Sequence, residues 1–430
     1  MDPHARGARD EKGRRPTTLR RFLNALGPGV ITGAADDDPS GIATYSVAGA
    51  QLGTGLLWIA VFTWPLMAAV QTMCARIGMV TGEGLMAALR EKYPRPVLAL
   101  ACFALFIANT INIGADLAGM ADAAELVTHV NSHVWVVVFG MGIAWATVQW
   151  RYRTIAKTLE WLALVLFAYV ITAIKVGPPW REVLHATLVP SAIHGRAAWA
   201  TLVAILGTTI SPYLFFWQSS EEVEEEKASG RNSLRDRRGA SLVELSRRRM
   251  DVGVGTFFAT IAMYFVMLTT ALTLHTAGVR HLETSAQVAE ALRPFAGRFA
   301  TLLYALGIVG TGALAIPTLA GSAAYAFCEL LGWREGIDER FRGAPAFYMV
   351  IIVAVAAGVV LDFTNIGAVR ALYLTAVLNG LLAPFLLVGI LLAASDTRLM
   401  RGQPSSRLGL AVVTAATVAM FGAALGMIVF

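Results

Sequence analysis

Apolar runs of about 20 residues recur along this chain up to its last residue, and no other feature restricts the fold as much. A run of that length crosses a bilayer as a helix. Inside lipid every backbone N–H and C=O needs an internal partner, which only helices and closed barrels supply. Composition agrees. Of 430 residues, 56% are hydrophobic and 15% charged, where a soluble domain carries about 25% charged residues. The sequence predicts an all-α polytopic membrane protein with about eleven transmembrane helices. They lie near 22–50 (broken), 55–77, 97–120, 133–149, 158–177, 199–219, 252–276, 299–330, 346–361, 367–393 and 408–429. The cysteines Cys74, Cys102 and Cys328 fall in apolar runs without a pairing pattern, so no disulfide framework is expected.

Charge placement orients these spans. With the N-terminus in the cytoplasm, the tail and the loops on its side hold 28 of the 35 Lys and Arg, and the other side holds seven. That bias predicts a cytoplasmic N-terminus, an outside C-terminus and an odd number of spans, in the cell (inner) membrane. It also accounts for the net charge of +6 without a nucleic-acid partner. Residues 1–21 read as a disordered basic tail with no small-residue cleavage site. The longest polar loop, about 220–251, opens Glu221-Glu222-Val223-Glu224-Glu225-Glu226 and closes Arg247-Arg248-Arg249. It reads as a solvated cytoplasmic linker.

Within the first span, Asp36-Asp37-Asp38-Pro39-Ser40-Gly41 interrupts an apolar run. Carboxylates in mid-membrane cost roughly 2.5–3.5 kcal/mol each and point to function. Pro39 disfavours helix at Asp38, and Gly41 adds backbone freedom. A helix broken there turns amides, carbonyls and a carboxylate toward one point, which is how discontinuous helices build an ion site. Span six carries a second break, Thr208-Thr209-Ile210-Ser211-Pro212-Tyr213, where Pro212 frees carbonyls that hydroxyls can re-satisfy or that can face a cavity.

The two breaks are five spans apart. Five is odd, so a second five-span unit has the opposite orientation, and matching breaks in inverted halves point to a midplane site. Residues 22–430 therefore read as one transmembrane transporter domain. Repeat one is about 22–177, repeat two about 199–393, and an extra helix about 408–429. Span three adds Asn109, Asn112 and Asp116 on one helical face. They either line a pathway or bond helix to helix. Asn379 in span ten reads the same way.

Taken together, Gly27-Pro28-Gly29, Asp38-Pro39, Ala48-Gly49-Ala50-Gln51-Leu52-Gly53 and Leu56-Leu57-Trp58 resemble span one of the Nramp divalent-metal transporters. Ser211-Pro212-Tyr213 resembles the break in their span six. The resemblance implies a LeuT-type fold and a divalent metal ion as transported substrate, with no cofactor. It also implies metal contacts at Asp38, Gly41, Thr208 and Ser211, with Asp36, Asp37, Tyr213, Asn109, Asn112, Asp116 and Asn379 in the pathway or behind it. The family's Asp-Pro-Gly-Asn is here Asp38-Pro39-Ser40-Gly41. Its Met-Pro-His is Ser211-Pro212-Tyr213, the Ala before it is Thr208, and a second His falls at Gln218. Its Asp-Leu-Ala-Glu is Asp116-Leu117-Ala118-Gly119. These changes are similar to the Nramp-related magnesium transporter branch.

Chemistry points the same way. A thioether suits manganese or iron, whereas carboxylate, carbonyl and hydroxyl oxygens make a hard site, and magnesium keeps several of its waters. The expected function is uptake of Mg²⁺, with Mn²⁺, by a monomer and without proton coupling. A proton-coupled Mn²⁺/Fe²⁺ transporter on the same scaffold and a LeuT-type carrier of a cationic organic solute are the alternatives. No HExxH motif, no GxSxG with a partner His and no zinc-ligand spacing occur, so an enzyme is not expected.

Overall fold

Asp38 starts the first described helix. Its side chain accepts a hydrogen bond from the Gly41 N–H, and Pro39 takes the first helical position, where a missing N–H leaves nothing unpaired. The computed structural model describes residues 36–150, 164–363 and 366–430. The helices used below are α1 (Pro39–Leu52), α2 (Trp58–Thr81), α3 (Leu85–Arg90), α4 (Arg95–Thr128), α5 (Ser132–Gln149), α6 (Phe167–Val176), α7 (Trp180–Leu188), α8 (Arg196–Thr209), α9 (Pro212–Ala228), α10 (Leu242–Thr270), α11 (Ala300–Leu331), α12 (Pro345–Asp362), α13 (Ala368–Ser395) and α14 (Arg407–Val429).

Among the described residues, nine helical stretches are long and apolar enough to cross a membrane, with α8 and α9 making one between them. Span five is described from Leu164 onward and contributes the short apolar α6. Span one is described from its break onward. The tail 1–21, the first part of span one at 22–35 and the start of span five at 158–163 lie outside the described residues. Both breaks fall where the prolines put them. Asp36 is helical, Asp37 bends and α1 begins at Pro39, while α8 stops at Thr209 and α9 begins at Pro212.

The broken helices sit at the centre. Every residue of α1 from Pro39 to Ala50 is buried. In the most apolar window of α8–α9, 89% of residues are buried, against 22% in α5, which leaves α5 facing lipid. α1 packs on α8, α10 and α13, and α11 packs on α4, α9 and α12. Small residues let two of these helices touch backbone to backbone. A Cβ on Gly207 of α8 would lie 2.1 Å from the Ala376 carbonyl oxygen, and one on Gly380 of α13 would lie 2.3 Å from that of Val203.

The loop at 220–251 is not a solvated linker. α9 continues to Ala228 and takes the acidic run into its last turns, where Glu221, Glu222, Glu224 and Glu226 are buried. Arg248 on α10 makes this possible. Its Nε lies 2.7 Å from Glu222 Oε2, and its other nitrogens hold Glu225 and Asp251. Gln218 donates to Glu222 Oε1 at 2.7 Å, and Lys227 pairs with Glu224 at 2.8 Å. The segment after Ser241 is helical too, begun by a capping box between Ser241 and Glu244. What remains between α9 and α10 lies across the end of α2. Gly239 N–H donates to Val80 O at 2.9 Å and Arg237 Nε to Gly82 O at 3.1 Å.

Candidate functional site

Asp38 is held from three directions. As the residue before α1 it stands at the positive end of a helix dipole. Its Oδ1 accepts from the Gly41 N–H at 2.6 Å and from the Ser40 hydroxyl at 2.8 Å. Its Oδ2 accepts from Asn112 Nδ2 on α4 at 3.1 Å. The same Asn112 nitrogen donates to Asp116 Oδ2 at 3.3 Å. One amide thus divides its two N–H groups between two carboxylates. Asp38 is 2% exposed, and Asn112 and Asp116 are fully buried.

α8 completes the site from the other repeat. A Cβ built on Gly41 would lie 3.1 Å from Thr208 Oγ1 and 3.4 Å from Asp38 Oδ1. The break of span one therefore meets the end of α8, and the absence of a side chain at Gly41 lets the two approach closely. Ser211 turns its hydroxyl back onto its own helix and donates to Gly207 O at 2.9 Å and Thr208 O at 2.8 Å. It restores partners to carbonyls that Pro212 freed, so toward a ligand it offers lone pairs and no proton. Tyr213 is buried in the first turn of α9.

The site has a surplus of buried acceptors. Among the described residues, Asp36 Oδ1, Asn112 Oδ1 and Asp116 Oδ1 are buried without a hydrogen-bond partner. Each such group costs about 1–3 kcal/mol when left unsatisfied. Asp36 and Asp37 are buried with Asp38. None of these four carboxylates pairs with a Lys, Arg or His among the described residues. Uncompensated negative charge of this kind calls for a cation. The acids do not form a closed cage, since among the described residues no three Asp, Glu, His or Cys side chains converge well enough to hold a metal.

Not every residue singled out from the sequence arrives here. Asn109 donates to Leu319 O at 2.9 Å and Ser322 Oγ at 2.8 Å on α11, so it ties helix to helix. Asn379 is buried on α13 beside Gly380, at the contact with α8. Ser40 and Tyr45 were missed. Ser40 follows the aspartate–proline pair as a capping-type hydroxyl, and Tyr45 lies seven residues beyond Asp38, two turns along the same face.

Comparison with known proteins adds an independent result. The family model described as Natural resistance-associated macrophage protein-like (Nramp) matches residues 29–430. A divalent metal cation transporter, MntH, of Yersinia enterocolitica is 28% identical over 318 residues, covering 71% of this chain and 73% of the relative. Among solved structures, a manganese transporter of Eremococcus coleocola superposes with a TM-score of 0.71 at 17% identity, covering 96% of this chain and 94% of that one. MhsT, solved with L-phenylalanine, superposes at 0.58 and 14% identity, covering 93% and 98%. The fold is of the LeuT type.

Proposed function

This chain belongs to the Nramp family, and from that premise we propose that it carries a divalent metal cation across a membrane, Mg²⁺ first and Mn²⁺ with it. The observation that carries this reading is the pair Asp38 and Asp116, joined by Asn112 and set beside the close approach of Gly41 to Thr208. The donors there are carboxylate, amide and hydroxyl oxygens, with no thioether among the residues singled out. A hard, incompletely coordinated cation such as Mg²⁺ keeps waters and takes one or two carboxylates, whereas softer donors select manganese and iron. This donor set supports a reading in which the chain resembles the Nramp-related magnesium transporter branch.

In this reading Asp38 contacts the ion or its waters, Thr208 and the Ser211 hydroxyl oxygen complete the shell, and Gly41 keeps the two broken helices close enough to share it. Asp36, Asp37 and Asp116 supply negative potential. Residues 22–177 and 199–393 act as inverted repeats with the extra helix 408–429 outside them. The protein works as a monomer in the inner membrane, with its N-terminus in the cytoplasm, and needs no resident cofactor. No step is catalytic. Entry of a divalent ion down a membrane potential releases about 4.6 kcal/mol per 100 mV, enough to drive uptake without a proton.

A second reading, a proton-coupled Mn²⁺ carrier, draws on Asp116. This buried acid shares Asn112 with Asp38 and could pass a proton when the ion leaves. Liposomes holding the purified protein separate the two. Uptake of Mg²⁺ without a pH gradient, lost in Asp38→Ala, is expected. Mn²⁺ uptake with acidification of the lumen, undisturbed by excess Mg²⁺, would replace the first reading with the second.

A further inference from the structure

We infer that an anionic phospholipid binds in a groove between α2, α10 and α14, with its phosphate held by Arg76 and Arg249. The inference rests on a cavity of about 500 Å³ lined by these three helices, a volume in the range of ligand sites. The groove is far in sequence from the acidic site described above and shares no lining residue with it.

Its polar end gathers three arginines, Arg76, Arg248 and Arg249, and no carboxylate lines it. Arg248 is already taken by Glu222, Glu225 and Asp251. Arg76 gives only its Nε to a carbonyl, that of Gln403, at 3.1 Å. Arg249 is exposed and has no ion pair among the described residues. Two guanidinium groups are therefore left without an anion. Ser405 also lines the groove, and its Oγ is buried without a partner. Guanidinium forks and hydroxyl donors match phosphate oxygens.

The rest of the groove is apolar and faces outward. Trp64 on α2 is 39% exposed and Leu408 on α14 is 68% exposed, and both line it. From Arg76 to Trp64 is twelve residues of helix, about 18 Å, so the apolar wall runs from the membrane edge well into the hydrocarbon. A soluble phosphate compound has no use for such a wall, while an acyl chain does. Basic pockets between spans at the side where Lys and Arg collect are where anionic headgroups dock.

The test uses the full-length protein in detergent, followed by native mass spectrometry and thermal unfolding. Phosphatidylglycerol, phosphatidylcholine of the same chains and inorganic phosphate are added separately. A one-to-one phosphatidylglycerol adduct and a raised Tm are expected, with neither effect from the other two. Arg249 has no ion pair among the described residues, and Arg249→Gln should weaken the adduct roughly fivefold. R76Q/R249Q should abolish it, and Arg280→Gln, on an exposed residue outside the groove, should leave it intact. Equal protection by phosphatidylcholine or by phosphate, or undiminished binding to R249Q, would overturn the assignment.

Discussion

Asn112 governs the behaviour of the two central carboxylates. Its amide nitrogen is shared between Asp38 and Asp116, and hydrogen bonds to charged acceptors are worth about 1.5–3 kcal/mol each. Asn112→Leu keeps the volume and removes both donors. The two acids then face each other unbridged, and uptake in proteoliposomes is expected to fall at least tenfold while helical content by circular dichroism stays unchanged. Normal uptake would mean that the amide is not needed. Asp38 was legible in the sequence because a carboxylate before proline inside an apolar run has few structural uses. Asn112 was legible only as part of a stripe, and the sequence could not separate it from Asn109, three residues away. Both lie on one face of α4, and only tertiary packing decides which meets α1 and which meets α11.

At the scale of elements, the span pattern was readable almost throughout, since apolar length alone marks a membrane helix. The failure was the acidic end of α9. A run of five glutamates reads as solvated, yet four of them are buried, because the partner Arg248 lies 26 residues beyond Glu222 on another helix. No local pattern announces that pairing. Arg248 now joins α9 to α10 where both reach the same face of the membrane. Removing one partner from a buried charge network costs about 3–5 kcal/mol. Arg248→Ala is therefore expected to lower the midpoint of thermal unfolding by several degrees, and R248A with Glu222→Gln should recover part of the loss. Equal midpoints for wild type and R248A would show the network to be dispensable.

For the molecule as a whole, the orientation proposed from Lys and Arg placement can be checked by labelling. Cys74, Cys102 and Cys328 are buried, so they give little background. In intact cells an impermeant thiol reagent is expected to modify Arg280→Cys and to spare Arg235→Cys until the membrane is opened. The reverse pattern would invert the topology. The four acids at the centre have a further, kinetic consequence. They lie buried without a basic partner among the described residues, and on the reading proposed above the cargo supplies their countercharge. A carrier that has released its ion must then reorient with bare charge in a poorly polarisable interior, and that return leg is the slow one. Unlabelled Mg²⁺ preloaded inside liposomes should let the carrier return loaded and speed the inward movement of labelled ion severalfold. Exchange would then outpace net flux, a behaviour that separates a carrier from an open pore.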